Sequence, residues 1–274
     1  MNLIIPKVSS PLTGESKVLQ SISFGEKNTF DDWKLIAVTR PIFNPPTQKT
    51  VYVDVPGGNG ALDLSEALSG YPVYNNRTGS FEFVVLNEHG GAAVDYGRWA
   101  HRYSEIANYL NGSVRIAILA DDPAWGYEGR FEIGDWKATH TWSAIEVKYH
   151  VKPYKQSVFW TTDPWLWDPF NFENGIIYQD IFTDIVIDSP SSWISKKFPG
   201  VLFGHAPVTP TFIVRDSNML DMRIAIPRMG IDKTVRLNDG DNLIHDFVFF
   251  GQDEYVIHFR GEGIVSIKFR LGRL

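Results

Sequence analysis

The sequence predicts a mainly β protein in two parts: an N-terminal β-sandwich-like domain with one α-helix, then a C-terminal antiparallel β-sandwich. Three observations carry that prediction. Apolar and polar residues alternate through most of the chain, one stretch switches to helical spacing, and sharp Gly/Asn/Asp turns separate the strands of the second half. At 274 residues there is room for one large domain or two modest ones.

The strands follow in order. Over residues 50–55, Val51, Val53 and Val55 share one face, as in a half-buried strand, and Gly57-Gly58-Asn59-Gly60 then supplies the positive φ angles of a turn. A phosphate-cradling loop would need Gly-Lys-Ser/Thr where Gly60-Ala61-Leu62 stands. Residues 81–85, 114–119, 129–133 and 144–149 alternate in the same way. Over residues 95–110, Trp99, Tyr103, Ile106 and Leu110 fall at i, i+4, i+7 and i+11, one face of an amphipathic helix that stops at Asn111-Gly112. Pro153 breaks the strand pattern inside a polar stretch at 151–156, which divides the chain into domains 1–153 and 154–274. Further strands are expected over 181–187, 210–214, 234–237, 244–250, 255–259 and 264–269. The turns between them are expected at 238–242, as a hairpin, and at Gly261-Glu262-Gly263.

Composition narrows the function. The 26 Lys and Arg residues against 32 Asp and Glu give a net charge of −6, and both halves are acidic, which argues against gripping nucleic-acid phosphates. Zero cysteines remove disulfides, thiolate nucleophiles and Cys-ligated metals. The opening Met1-Asn2-Leu3-Ile4-Ile5-Pro6 has too short an apolar run and no basic flank for a secretory signal, and no apolar run is long enough to span a membrane. No Gly-x-Ser-x-Gly elbow, His-Glu-x-x-His or His-x-His is present, and His101, His150 and His258 read as surface or hydrogen-bonded structural residues. The adjacent carboxylates Asp121 and Asp122 precede a proline and read as a turn. The chain is therefore expected to be no enzyme and to carry no catalytic residue, cofactor or metal.

The chemistry-bearing feature is the aromatic run from Phe159 to Phe172, dense even for a chain that is 14% aromatic. Trp160, Trp165 and Trp167, with Asp163 and Asp168 between them, are candidate contact residues for a partner or a sugar. Three uses fit. The rings pack at the domain junction along a proline-extended path, they anchor a protein partner, or they form a platform on which sugar C–H faces stack while Asp accepts hydroxyl hydrogens.

Three stretches also resemble the distal tail protein family of long, noncontractile-tailed bacteriophages. They are Ile22-Ser23-Phe24-Gly25-Glu26-Lys27-Asn28-Thr29 with Trp33-Lys34-Leu35; Val53-Asp54-Val55-Pro56-Gly57-Gly58-Asn59-Gly60 through Leu62-Asp63-Leu64 to Tyr74-Asn75-Asn76-Arg77 and Phe81-Glu82-Phe83; and Tyr127-Glu128-Gly129-Arg130-Phe131. Together they span roughly residues 20–155 in the family's order. The resemblance implies a galectin-like second domain and a ring, usually of six subunits, where the tail tube meets the tip. The first domain would close the ring and the second would project from it. Such a ring holds the tail tube protein, the tail-tip protein and receptor-binding or fibre proteins, and lets DNA pass through its channel without specific binding. The implied setting is the virion tail tip, assembled in a bacterial cytoplasm, with no membrane contact. A carbohydrate-binding β-sandwich with Trp160, Trp165 and Trp167 as its platform is the alternative.

Overall fold

A computed structural model describes residues 7–9, 16–18, 20–85, 96–138, 143–163, 181–226, 230–251 and 254–274. In chain order the first strands are β1 (Lys7–Ser9), β2 (Ser16–Val18), β3 (Ile22–Phe24), β4 (Lys27–Asn28) and β5 (Leu35–Ala37). A hairpin of β6 (Tyr52–Asp54) and β7 (Ala61–Asp63) follows, then β8 (Arg77–Val85), helix α1 (Tyr96–Leu110), β9 (Val114–Leu119), β10 (Trp125–Ala138), β11 (Ser143–Val151) and β12 (Lys155–Ser157). The remainder is β13 (Ile185–Phe198), a short 3-10 turn (Gly200–Phe203), β14 (Thr211–Ile226), β15 (Ile231–Arg236), β16 (Gly240–Leu243), β17 (Tyr255–Lys268) and β18 (Gly272–Arg273). The protein is mainly β and antiparallel, as the alternation predicts. The chain divides into two compact units, Met1–Lys49 with Tyr74–Lys155, and Thr50–Val73 with Gln156–Leu274.

The first unit is built on antiparallel strands in the order β4-β3-β9-β10-β11-β8-β5. Alternation sets its faces: Phe81, Phe83 and Val85 of β8 and Val147, Tyr149 and Val151 of β11 are buried, while Glu82, Lys148 and His150 between them are exposed. Helix α1 buries Ile106 and Leu110 completely in the same core, each worth roughly 1.5–3 kcal/mol of apolar transfer. It ends as predicted, with the Asn111 amide bonding the Ala107 carbonyl at 2.9 Å and Gly112 at a φ of +84°. Asp95 lies outside the described residues.

The second unit centres on β17, paired with β13 on one side and β14 on the other. Its fourteen residues alternate strictly, every odd-numbered one from Tyr255 to Ile267 buried. Here the structure corrects the turn expected at Gly261-Glu262-Gly263, because the strand runs straight through it. The glycines are needed by the neighbour instead. β14 is irregular between Arg215 and Asp221, with Asp216 and Met219 at φ of +54° and +50°, and its backbone crosses against β17 there. A Cβ on Gly261, whose φ is +118°, would lie 2.7 Å from the Leu220 Cα.

Two more expectations change. Residues 244–250 form no strand; Phe247 and Phe249 are fully buried from a loop tied to Val208 by mutual Val208–Phe249 backbone bonds of 2.8 Å. Residues 238–242 do turn, with Asn242 bonding the Asn238 backbone, but the flanking strands do not pair as a hairpin. β15 pairs Asp221–Ile226 and β16 pairs Thr211–Val214, so the two lie end to end along one edge of β14. The break between them falls where β14 itself is bulged.

Gly261→Ala should therefore lower stability by roughly 2–3 kcal/mol, since both the positive φ and the close β14 backbone oppose a Cβ. Urea denaturation followed by tryptophan fluorescence would show it, and an unchanged midpoint would refute the strand-through-glycine account.

Candidate functional site: contact surfaces

Of the stretches that carry the family resemblance, residues 22–35, 74–83 and 127–131 belong to the first unit and residues 53–64 to the second. Gly25, at a φ of +62°, turns β3 into β4, and buried Thr29 accepts the Ile22 amide at 3.0 Å. Phe24 stacks on Trp33 at 6.3 Å, and Trp33 meets Tyr109 of α1 edge-on at 5.6 Å. The Tyr109 hydroxyl donates to the Phe24 carbonyl at 2.8 Å, and the Arg115 guanidinium lies 3.6 Å from the Tyr109 ring centre. These residues lock the helix to β3.

Arg77 of the Asn76-Arg77 pair is buried, with no carboxylate partner among the described residues. Its Nε donates to the Pro153 carbonyl at 2.7 Å, and Nη1 donates to the Asn44 carbonyl at 3.1 Å. Its guanidinium sits 5.5 Å from the Tyr127 ring, which stacks on Phe43 at 4.0 Å. Burial pulls the Arg77 group below the ordinary arginine value and pushes the Tyr127 hydroxyl up. The arginine thus fixes the proline at which the sequence analysis divides the chain.

Of the predicted contact residues, Trp160 and Asp163 are described, and Trp165, Trp167 and Asp168 lie outside the described residues. Trp160 follows β12 and is 37% exposed. The Asp163 carboxylate accepts its amide at 2.7 Å. Thr161 beside it is buried, its hydroxyl donating to the Ile267 carbonyl at 2.8 Å and accepting the Phe269 amide at 3.1 Å. This anchor brings the indole under two cations from the same face of the chain end, Lys268 at 4.8 Å and Arg270 at 4.3 Å from the ring centre. A sugar stacking on that ring face would have to displace them.

Two surfaces escape the sequence analysis. Asp221 is buried between Arg236 and Arg260, the latter at 2.8 Å. Arg260 in turn lies 4.9 Å from the ring of Trp193, an exposed residue in the β13 irregularity between Ser189 and Ile194. The hydrogen bond from Arg236, then that from Arg260, holds the Asp221 carboxyl below its ordinary value of 3.8 against the opposing effect of burial. The second surface is the β6–β7 hairpin, whose strand residues are all exposed although the valine alternation predicts a buried face: Val51 is 53%, Val53 44% and Val55 49% exposed.

In the first unit an open groove of about 910 Å³ runs over the outer face of β8, β10 and β11, where Asn76 and His150 are hydrogen-bonded at 2.7 Å and Lys152 pairs with Glu128 at 2.8 Å. His258 bonds Ser195 at 2.8 Å, while Asp232, two strands further on, is held by both branches of Arg223. His101 is exposed. Among the described residues no group of three or more His, Asp or Glu could hold a metal, and no helix is long and apolar enough to cross a membrane.

Strand-built units with closed aromatic cores and aromatic, cationic and apolar contact surfaces define a mainly β scaffold. The same fold is found in a phage hub protein: the crystal structure of SPP1 Dit (gp 19.1), described as a paradigm of the hub adsorption apparatus in Gram-positive infecting phages, superposes with a TM-score of 0.57 at 12% identity. The match covers 93% of this chain and 99% of that one. No family model and no curated sequence matches the chain.

Arg77→Met should cost roughly 1–3 kcal/mol, because two part-buried carbonyls lose their charged donor, and Arg77→Lys should recover only part of it. Chemical denaturation of the three proteins would decide it. Asp221→Asn should cost roughly 1–2 kcal/mol at neutral pH, discounted because both arginines are nearly half exposed. A carboxyl depressed in the folded state contributes fully above its unfolded value and loses that contribution as pH falls through the folded one. The gap between wild type and Asp221→Asn should therefore close below about pH 3.8, measured by denaturation across the acid range.

Proposed function

We propose that this chain is the distal tail hub of a bacteriophage: copies close into a six-membered ring that joins the tail tube to the tail tip. The observation that carries the proposal is the end-to-end correspondence of fold, 93% of this chain against 99% of the SPP1 hub protein. In this reading residues 1–153 form the ring and residues 154–274 form projecting galectin-like sandwiches. The ring anchors the tail-tip protein and the receptor-binding or fibre proteins for host attachment, and is assembled in the bacterial cytoplasm into the virion.

The activity is self-association without catalysis. Ring closure needs a heterologous interface, two different faces of one chain that fit each other, repeated about an axis. An acidic chain also suits a conduit for DNA, because phosphate binding is driven by clustered cations that would hold the DNA in place.

Light scattering on a sizing column, followed by negative-stain images of the peak, tests the proposal. Particles of about six 31.1 kDa copies with an open centre are expected. A chain that stays monomeric over the whole concentration range would overturn it.

A further inference from the structure

Residues 50–73 contain a two-stranded hairpin in which β6 and β7 pair only with each other. An isolated hairpin is marginal in water, because two strands bury too little apolar surface to offset the ordering of the chain. This one spends apolar residues on both faces. Val51, Tyr52, Val53, Val55, Leu62 and Leu64 are between 39% and 60% exposed, and Leu68 is fully exposed. Scattered exposed apolar residues need no explanation, whereas seven large ones within residues 51–68 point to a docking surface.

Its charge narrows the occupant. The segment carries Asp54, Asp63 and Glu66 and no Lys or Arg, which disfavours nucleic acid and anionic lipid. It calls for an apolar or aromatic surface that bears cations, and the chain itself has one. Trp160 holds both Lys268 and Arg270 against its ring, neither cation is ion-paired among the described residues, and the Arg270 Nε is buried with no hydrogen-bond partner. Two unlike, complementary surfaces on one chain are what a heterologous contact requires. The partner present in fixed proportion wherever this chain folds is another copy of it.

We infer that the hairpin is an assembly arm: its apolar side chains and carboxylates seat on the Trp160–Lys268–Arg270 platform of a second copy. This inference rests on the ring reading above and adds to it a contact that runs from the ring-forming residues of one copy to the projecting residues of the next.

Photo-crosslinking tests it. Tyr52 is replaced by p-benzoylphenylalanine, and equal amounts of isotopically light and heavy protein are assembled, so that mass spectrometry separates links within a chain from links between copies. Links from residue 52 to peptides holding Trp160 or Lys268 and Arg270 of a second copy are expected. The Asp54→Lys/Glu66→Lys variant, which spares the Asp63–Ser65 bonds within the hairpin, should associate at least tenfold more weakly than wild type while its circular dichroism and melting curve stay unchanged. A wild-type chain that never assembles overturns the ring reading and this inference together. An assembled wild type whose links stay within one chain, or land elsewhere on the second copy, overturns this inference alone. So does a double variant that assembles as wild type does.

Discussion

The second unit depends on β17 satisfying a partner on each side through its central residues. Its backbone groups are committed to β13 and to β14, so any irregularity in one neighbour must be absorbed by the others. The irregularity exists: β14 carries two residues in the left-handed region between Arg215 and Asp221, and β17 answers with glycines at 261 and 263, where a side chain would strike that backbone. β13 bulges between Ser189 and Ile194 at the same level, and the outer edge of β14 is interrupted there, β16 on one side of the gap and β15 on the other. The surface chemistry follows from this one fault line. It places Trp193 outside the regular ladder, within reach of Arg260, and leaves Asp221 as the buried counter-charge for Arg260 and Arg236.

The first unit solves a different problem, fixing one helix on a broad sheet with few helical contacts. Only Ile106 and Leu110 of α1 are described as fully buried, so the flank is held by aromatic edges and polar ties, Trp33 against Tyr109 and Tyr109 to the Phe24 carbonyl. The residues behind the family resemblance are these ties, together with Arg77, Tyr127 and Thr29. A positive-φ glycine, a buried hydroxyl under a strand start and a guanidinium bridging two carbonyls are positions where few alternatives satisfy the geometry, whereas the surrounding apolar positions accept any residue of suitable volume.

Periodicity made the fold class legible. The spacing of Tyr103, Ile106 and Leu110 has no strand solution, and the alternation in β8, β11 and β17 has no helical one. What stayed hidden depends on partners distant in sequence. Two glycines around a glutamate read locally as a turn, and only the bulge of β14, some 40 residues earlier, makes them strand residues. Phe247 and Phe249 alternate like a strand but reach the core from a loop. The valines at 51, 53 and 55 announce a strand correctly, yet alternation reports which side chains share a face and is silent on what covers that face. The cations over Trp160 lie more than a hundred residues away in sequence, so the aromatic run shows its rings and conceals their neighbours.

The cores and the surface differ in a way that bears on assembly. Inside, aromatic side chains pair both stacked and edge to face; outside, the apolar hairpin and the cation-bearing tryptophan are among the uncompensated features of the described residues. A monomer selected for life alone would cover or remove such features. In a closed ring each copy meets two neighbours, and losing one copy breaks two contacts at once, the second of which is effectively intramolecular once the first has formed. The individual contact can then be weak. A hairpin too small to be stable by itself is a workable interface element under that arrangement, because the proposed ring would supply its missing third layer and the hairpin would supply that ring's repeated joint.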